Sequence, residues 1–387
     1  MAFEAFPRPK GAAAHIETML LALARDYAPV WFFCLGFADM PGLQFEDGVV
    51  IHRLKHHHPN LLRRAAEFAD FVYSRLAGLE SPPGLLVYRD PWSGWPASSA
   101  LPEVPAIFEV NALPGWELPY THPAVRSNPA LLAKIEQLEW FCLRSARAVI
   151  AVSEVTREAL TDLGLEGQRI FVAPNAATEA FFQAGRVEIP LEVLSQGRWF
   201  GYFGGLHPWQ GVETLIEAWA LTASEWPEVR LLIIHAGRRE AARNLRKLIA
   251  RRGLAGRVVL QSPLPTERLA GVTARLEFTC APLTETFRNI VQGCCPIKIV
   301  ESMAAGVPVL ASDLRVTRAL IAHGRDGFLA RPDSPRSWAQ AIRKMLQDVE
   351  LRRRLGAAAG ESARQKFSRS AVFPRLREIF QSAARTR

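Results

Sequence analysis

Short apolar runs recur along the chain with room for one amphipathic helix between them, and this alternation predicts a βαβα series. In the first half the runs Val30–Leu35, Val49–Leu54, 84–88, Ala106–Val110, 148–152 and 170–173 read as strands, and 15–25, 129–147 and 154–163 as helices. A second series opens at 199–203 and continues through 230–235, Val258–Gln261, 277–281 and 307–311, with a last helix over 370–384. The pattern predicts two doubly wound parallel sheets, with the crossover in 181–195. Such an architecture binds nucleotides, though fold alone does not settle function.

Residues 288–313 carry the most chemistry. Pro296 suits the first turn of a helix, because its φ is already helical and its missing N–H would have had no acceptor there. From Ile297 an apolar stripe (Ile299, Val300, Met303, Ala304) runs to Gly306, which ends the helix before a buried strand. The free N–H groups at this helix start, with Lys298 in the first turn, form a phosphate cradle. Glu301, about one turn on, can accept hydrogen bonds from paired sugar hydroxyls.

These residues resemble the donor-sugar signature of the family-four retaining glycosyltransferases of GT-B fold: a Glu, seven residues, a second Glu, then Met-Ala-x-Gly-x-Pro-Val. The resemblance implies that Glu301 binds the nucleotide ribose. The first Glu of the signature is replaced by Gly293. It also implies two Rossmann-like domains facing a cleft, residues 1–190 on the acceptor side and 191–369 on the nucleotide-sugar side, with 370–387 returning to brace the first.

The second domain opens on a strand, a glycine turn containing Gly204 and Gly205, and a helix entered at Gly211. Glycines there let backbone approach a diphosphate closely. Family members commonly have an Arg where this chain has Gly205 and a Lys where it has Gln210, so two phosphate-binding charges are missing. Arg288 and Lys298 are the candidates to replace them, as catalytic stabilisers of the leaving diphosphate. The resemblance extends to residues 148–153 and to Pro174-Asn175, where the usual Pro-Asn-Gly-Val-Asp has become Pro-Asn-Ala-Ala-Thr. It places base contacts at Pro263 and Leu264, and Gly11 and Ile297 beside the donor.

On the acceptor side Arg89, Glu109 and Asn111 follow apolar strands and should sit at the carboxyl edge of the sheet, where open α/β folds bind ligands. Glu109 can orient an acceptor hydroxyl or stabilise positive charge developing on the sugar, or it pairs with an Arg. His15 is read at a helix start, facing either the donor or solvent. Only residues 1–5 remain for a first strand before the loop 6–15, so that strand is expected to be truncated, the true start lying upstream or the chain being a shortened copy.

Charge refines the picture. Residues 1–190 carry 16 Lys+Arg against 21 Asp+Glu, net −5, whereas 191–387 carry 31 against 17, net +14. A basic C-terminal half suits a nucleotide diphosphate or an anionic lipid surface, or is simply a set of solvated helix faces. Nucleic acid is disfavoured, since no recognition motif or interleaved aromatics accompany the charge. Five cysteines without zinc spacing argue against a disulfide framework. His56–58 are adjacent and point in different directions, and no Asp-x-Asp occurs, so no metal or cofactor is expected. No apolar run approaches the roughly 20 residues that span a bilayer, and no signal-peptide pattern opens the chain, which predicts a cytoplasmic protein, with a peripheral position at the inner face of the membrane as the alternative.

The sequence therefore predicts a metal-independent glycosyltransferase that moves a hexose from a nucleotide diphosphate sugar to a saccharide or lipid-linked acceptor with retention, in polysaccharide or glycolipid synthesis. The alternatives are a non-catalytic GT-B scaffold and a GT-B frame using another phosphorylated donor.

Overall fold

The computed structural model describes residues 1–7, 11–186, 194, 197–237 and 239–385. Most of the expected crossover, the domain boundary at 190/191, and part of the 6–15 loop therefore lie outside the described residues.

The first half holds β1 (Ala2–Ala5), β2 (Val30–Leu35), β3 (Leu43–Glu46) and β4 (Val49–Leu54) in the order β1-β2-β4-β3. Beside them β5 (Leu86–Tyr88), β6 (Ala106–Val110), β7 (Ala148–Ala151) and β8 (Ile170–Val172) form a second parallel sheet in chain order. The expected strands are present to within two residues at each end. β1 is short, four residues, but its outer edge is not left bare: the Met1 amino group donates to the Val87 carbonyl at 2.7 Å and the Phe3 N–H to the Asp90 carboxylate at 2.7 Å. These bonds join β1 to β5 and supply partners that backbone groups between two sheets require. β3 is unanticipated. It pairs antiparallel with β4 through Asp47-Gly48, both at positive φ (48° and 78°), the conformation that favours such a two-residue hairpin turn.

The second half is one six-stranded parallel sheet built from β9 (Arg198–Gly204), β10 (Val229–His235), β11 (Val258–Gln261), β12 (Thr279–Ala281), β13 (Val309–Ser312) and β14 (Phe328–Ala330), ordered 11-10-9-12-13-14. Both faces are covered, as a parallel sheet requires. Phe200, Trp219, Phe278 and Trp338 pack on one face and Leu232, Ile299, Val300 and Met303 on the other. The helix Ile297–Ala304 starts immediately after Pro296 and ends where expected: Gly306 takes φ +70°, its N–H bonds to Met303 and the Val307 N–H to Ser302. Val307 is thereby used as a cap, which is why β13 starts at Val309 and not at Val307.

The last helix, Arg369–Ala384, returns to the first half. Val372, Leu376, Ile379 and Phe380 pack against Met19, Leu23, Ile107 and Ile150. Arg377 donates to Asp26 and Arg369 to Glu17 along the same seam.

Gly211 is the clearest local constraint. Its φ is +63°, and a Cβ there would stand 1.7 Å from the Pro282 carbonyl oxygen. Gly211→Ala is expected to destabilise the protein by about 2–4 kcal/mol, from the left-handed backbone and the collision together, read as a lowered urea midpoint with unchanged slope.

Candidate functional site

The carboxyl ends of both sheet systems face a cleft with a cavity of about 500 Å³. Gly11, His15, Arg89 and Asn111 line it from the first half, and Gly204, Gly205, Gln210, Pro263, Leu264, Arg288, Ile297, Lys298 and Glu301 from the second. All the residues singled out in the sequence converge there except Glu109, which is fully buried behind the wall.

Two helix starts meet across the floor. The first helix begins at Gly11, a turn earlier than expected, and a Cβ on Gly11 would lie 2.6 Å from Ile297 Cγ2. Only glycine admits this approach. The first-turn N–H groups of Ile297 and Lys298 have no acceptor within their own helix, so they present donors to an anion in the cleft.

Lys298 is buried, its Nζ donating to Gln210 Oε1 at 2.5 Å and lying 4.0 Å from the centroid of the Tyr202 ring. Burial pulls its pKa down to about 7. Gly204 makes room for it: φ there is +142°, and a Cβ would come 2.9 Å from Nζ. Glu301 is likewise buried, which pushes its carboxyl up to about 8, partly opposed by a 3.4 Å hydrogen bond from Thr178.

Glu109 is different. Burial would raise its pKa, but Arg89, His15 and Asn111 together outweigh that and hold it at about 2. Arg89 Nε donates to Oε2 at 2.9 Å, Asn111 Nδ2 to Oε1 at 2.8 Å, and His15 Nε2 also meets Oε1. The carboxylate is saturated and cannot orient an acceptor or face a reacting sugar. It positions His15, Arg89 and Asn111, which do line the cleft. His15 itself is buried one turn inside its helix, not solvent-facing at the start.

Arg288 also departs from expectation. Its Nε donates at 2.9 Å to Glu117 Oε1, and its guanidinium lies 5.5 Å from the Trp209 ring centroid. It is an ion-paired side chain and not a free phosphate ligand. The position of the missing signature Glu is closed as well: Gly293 has φ +80°, and a Cβ would come within 2.8 Å of Ser153 Oγ and 2.7 Å of the Thr156 N–H nitrogen. Sequence reasoning missed Glu117, Trp209, Asn175 and the His235-Ala236 strand end, all of which line the cavity. The carboxyl-edge rule used for Arg89 would have found His235 and Ala236; Glu117 and Trp209 had no such signal.

All five cysteines are free thiols and buried, with Asn175 Nδ2 bonding the Cys295 carbonyl at 2.7 Å across the two halves. Among the described residues no group of three or more His, Cys, Asp or Glu is arranged to hold a metal ion, and no helix is long and apolar enough to cross a membrane. His57 Nε2 instead meets the Gly36 carbonyl at 3.2 Å, and His58 Nδ1 accepts from the Asn60 N–H at 2.9 Å.

Two Rossmann-like domains facing a cleft lined by two helix starts define the GT-B architecture. Two family profiles match in succession: Glycosyltransferase Family 4 over residues 9–179 and Glycosyl transferases group 1 over 197–348. The chain belongs to the family-four glycosyltransferases. It is 26% identical over 274 residues to a D-inositol 3-phosphate glycosyltransferase of Jonesia denitrificans, covering 65% of this chain and 63% of the relative. It is 27% identical over 248 residues to an alpha-D-kanosaminyltransferase of Streptomyces kanamyceticus, covering 62% of each. The alignments thus span under two thirds of these curated relatives' lengths. In fold it is similar to a sucrose-phosphate synthase from Thermosynechococcus elongatus (TM-score 0.81, 18% identity, 98% of both chains). It is also similar to HepE from Anabaena in complex with UDP and glucose (TM-score 0.75, 18% identity, 98% of both chains).

The Glu109 cluster should dominate local stability. Because Glu109 titrates at about 2 when folded, below the ordinary carboxylate value, its contribution is complete above about pH 4.5 and lost as pH falls toward 2. Arg89→Met leaves the buried carboxylate without its principal counter-charge and is expected to cost about 3–5 kcal/mol at pH 7, measured by urea unfolding.

Proposed function

We propose that the protein transfers a hexosyl group from a nucleoside diphosphate sugar to an acceptor hydroxyl, without a metal ion and with retention at the anomeric carbon. The observation that carries this reading is the convergence of the Ile297–Lys298 helix start, the Gly204 turn and Glu301 on one cleft. Retention and a role in polysaccharide or glycolipid synthesis rest on family membership; the lipid surface rests only on the basic second half.

In this reading the diphosphate lies on the helix start beside Lys298, the ribose hydroxyls reach Glu301, and the base lies against Pro263 and Leu264. Transfer breaks the bond between the anomeric carbon and the diphosphate oxygen and forms one to the acceptor oxygen. The acceptor's proton passes to the leaving diphosphate. Lys298 and the helix N–H groups stabilise the charge that develops on that oxygen, and the cleft aligns the acceptor. His15 and Arg89, fixed by Glu109, face the acceptor side.

Titration calorimetry of the full chain against UDP, GDP, ADP and dTDP, with and without EDTA, tests the reading and names the base. One nucleotide should bind regardless of EDTA, and its sugar conjugate should support transfer. Binding to none by the folded protein would overturn the proposal in favour of a scaffold; dependence on a divalent cation would overturn its metal-independence. Glu301→Ala is expected to weaken the nucleotide by about 1–3 kcal/mol, and an unchanged affinity would remove Glu301 from the site.

The same titration has a pH signature. A bound diphosphate favours the Lys298 ammonium, whose pKa in the free protein is about 7. Below pH 7 the ammonium is already formed and contributes no slope. Above pH 7 binding must take up a proton, so Lys298 lowers affinity by up to about tenfold per pH unit. Glu301, at about 8 when free, gives an opposite slope if the ribose favours its carboxylate. The diagnostic is therefore the difference between wild type and Lys298→Met over pH 6–9: the variant loses the downward component.

A further inference from the structure

Glu117 is a cleft-lining carboxylate that the proposed function has not used. Glu117, on the helix Pro114–Thr121 of the first half, reaches the wall formed by the second half. The helix is seated there by Trp116 against Phe287 (ring centroids 5.4 Å) and Tyr120 against Trp209 (5.9 Å). Oε1 accepts from Arg288 Nε at 2.9 Å and from Gln292 Nε2 at 3.3 Å. Oε2 accepts no hydrogen bond among the described residues, and the side chain keeps 26% of its surface exposed in a cleft-lining position.

We infer that Glu117 binds the sugar of the donor, its free oxygen accepting from sugar hydroxyls, and that it selects neutral sugars over anionic ones. This rests on the glycosyltransferase reading of the same cleft. Two steps support it. First, the Glu117–Arg288 pair is formally neutral, so this part of the wall offers a diphosphate no net attraction, whereas the Ile297–Lys298 helix start does. The anionic part of the donor belongs at the helix and the uncharged, hydroxyl-bearing part beside Glu117. Second, an ionised carboxylate is an acceptor only. Its oxygen turned away from Arg288 pairs with hydroxyl donors through charge-assisted bonds and has no proton to offer the oxygens of a phosphate or a uronate. Arg288 orients Glu117 through the Nε bond, with its guanidinium over Trp209, so its own role is to position Glu117. Because Glu117 and Lys298 come from opposite halves, the sugar and the diphosphate are held by different domains, and an intact donor spans the cleft.

The test compares wild type with Glu117→Gln and Glu117→Asp by calorimetry, without acceptor. Probes are the free diphosphate, the glucose conjugate and the glucuronate conjugate of whichever of the four nucleotides binds wild type. Wild type should prefer the glucose conjugate over the glucuronate. Glu117→Gln should weaken the glucose conjugate about tenfold relative to the free nucleotide and narrow the glucose-over-glucuronate preference, since Gln can donate to a carboxylate. Glu117→Asp, which keeps the charge and shortens the reach, should retain the discrimination against glucuronate while weakening glucose. Equal weakening of all three probes would reduce Glu117 to a structural role and overturn the inference. Equal strengthening would overturn it too, by showing that Glu117 merely competes with the diphosphate for Arg288. Unaltered donor binding with a raised acceptor KM would assign the carboxylate to the acceptor and also overturn it. Failure of wild type to bind any nucleotide is a separate outcome, one that removes the proposed function itself and this inference with it.

Discussion

Burial of charge at the cleft is the constraint to which the surrounding structure answers. Taking an ionisable group out of water disfavours its charged form unless partners are supplied, and three groups here meet that cost differently. Glu109 is given a guanidinium, an imidazole and an amide, and stays ionised at about 2. Lys298 has only the Gln210 carbonyl oxygen and the Tyr202 ring, and its pKa falls to about 7. Glu301 has one long bond from Thr178 and rises to about 8. Glu109 is thus completed by the fold, whereas Lys298 and Glu301 lack full partners among the described residues. In the proposed reading a diphosphate and a ribose complete them, so the under-satisfied pair, more than the Glu109 cluster, is where that reading puts the ligand.

The two halves are joined by contacts of unequal kind. The returning helix Arg369–Ala384 buries an apolar face on the first half, giving a seam that water cannot easily enter. Around the cleft the junctions are mixed: aromatic contacts of Trp116 with Phe287 and of Tyr120 with Trp209, hydrogen bonds of Asn175 to Cys295 and Arg288 to Glu117, and an exposed bidentate pair of Arg315 with Glu158, both bonds 2.8 Å. Exposed pairs of that last kind contribute little, on the order of 0–1 kcal/mol. The halves are therefore held by apolar burial at the returning helix and by aromatic pairs and hydrogen bonds around the cleft.

The strands were legible because parallel sheets buried on both faces write themselves as continuous apolar runs, as in Val30–Leu35 and Ala106–Val110, where sequence and structure agree residue for residue. The β3 strand was not, because an edge strand with Phe45 73% exposed carries no such run, and only its Asp47-Gly48 turn announced it. At the site, membership of the cleft was readable for residues sitting at strand ends and helix starts, since topology alone puts those positions together. Partnership was not. Nothing local to Arg288 says that Glu117, 171 residues earlier, meets it, and nothing local to Glu109 says whether it faces the cavity or lies beneath His15. Both pairings depend on tertiary packing, that of Glu109 with His15, Arg89 and Asn111 within the first half and that of Arg288 with Glu117 across the two halves.

The departures from the family pattern have a common physical sense. With a Lys in place of Gln210, its ammonium would face that of Lys298 where the Gln oxygen now accepts, two like charges competing for one buried position. A Glu in place of Gly293 would drive its Cβ into Ser153 and Thr156. The substitutions are thus compatible with this packing in a way the usual residues are not. Charge lost from one wall is matched by groups arriving from elsewhere: Lys298 by its helix start and Glu117 by the opposing domain. A donor site assembled from both halves depends on how closely they approach, and Gly11 against Ile297, with no room for a side chain between them, shows how close that approach is.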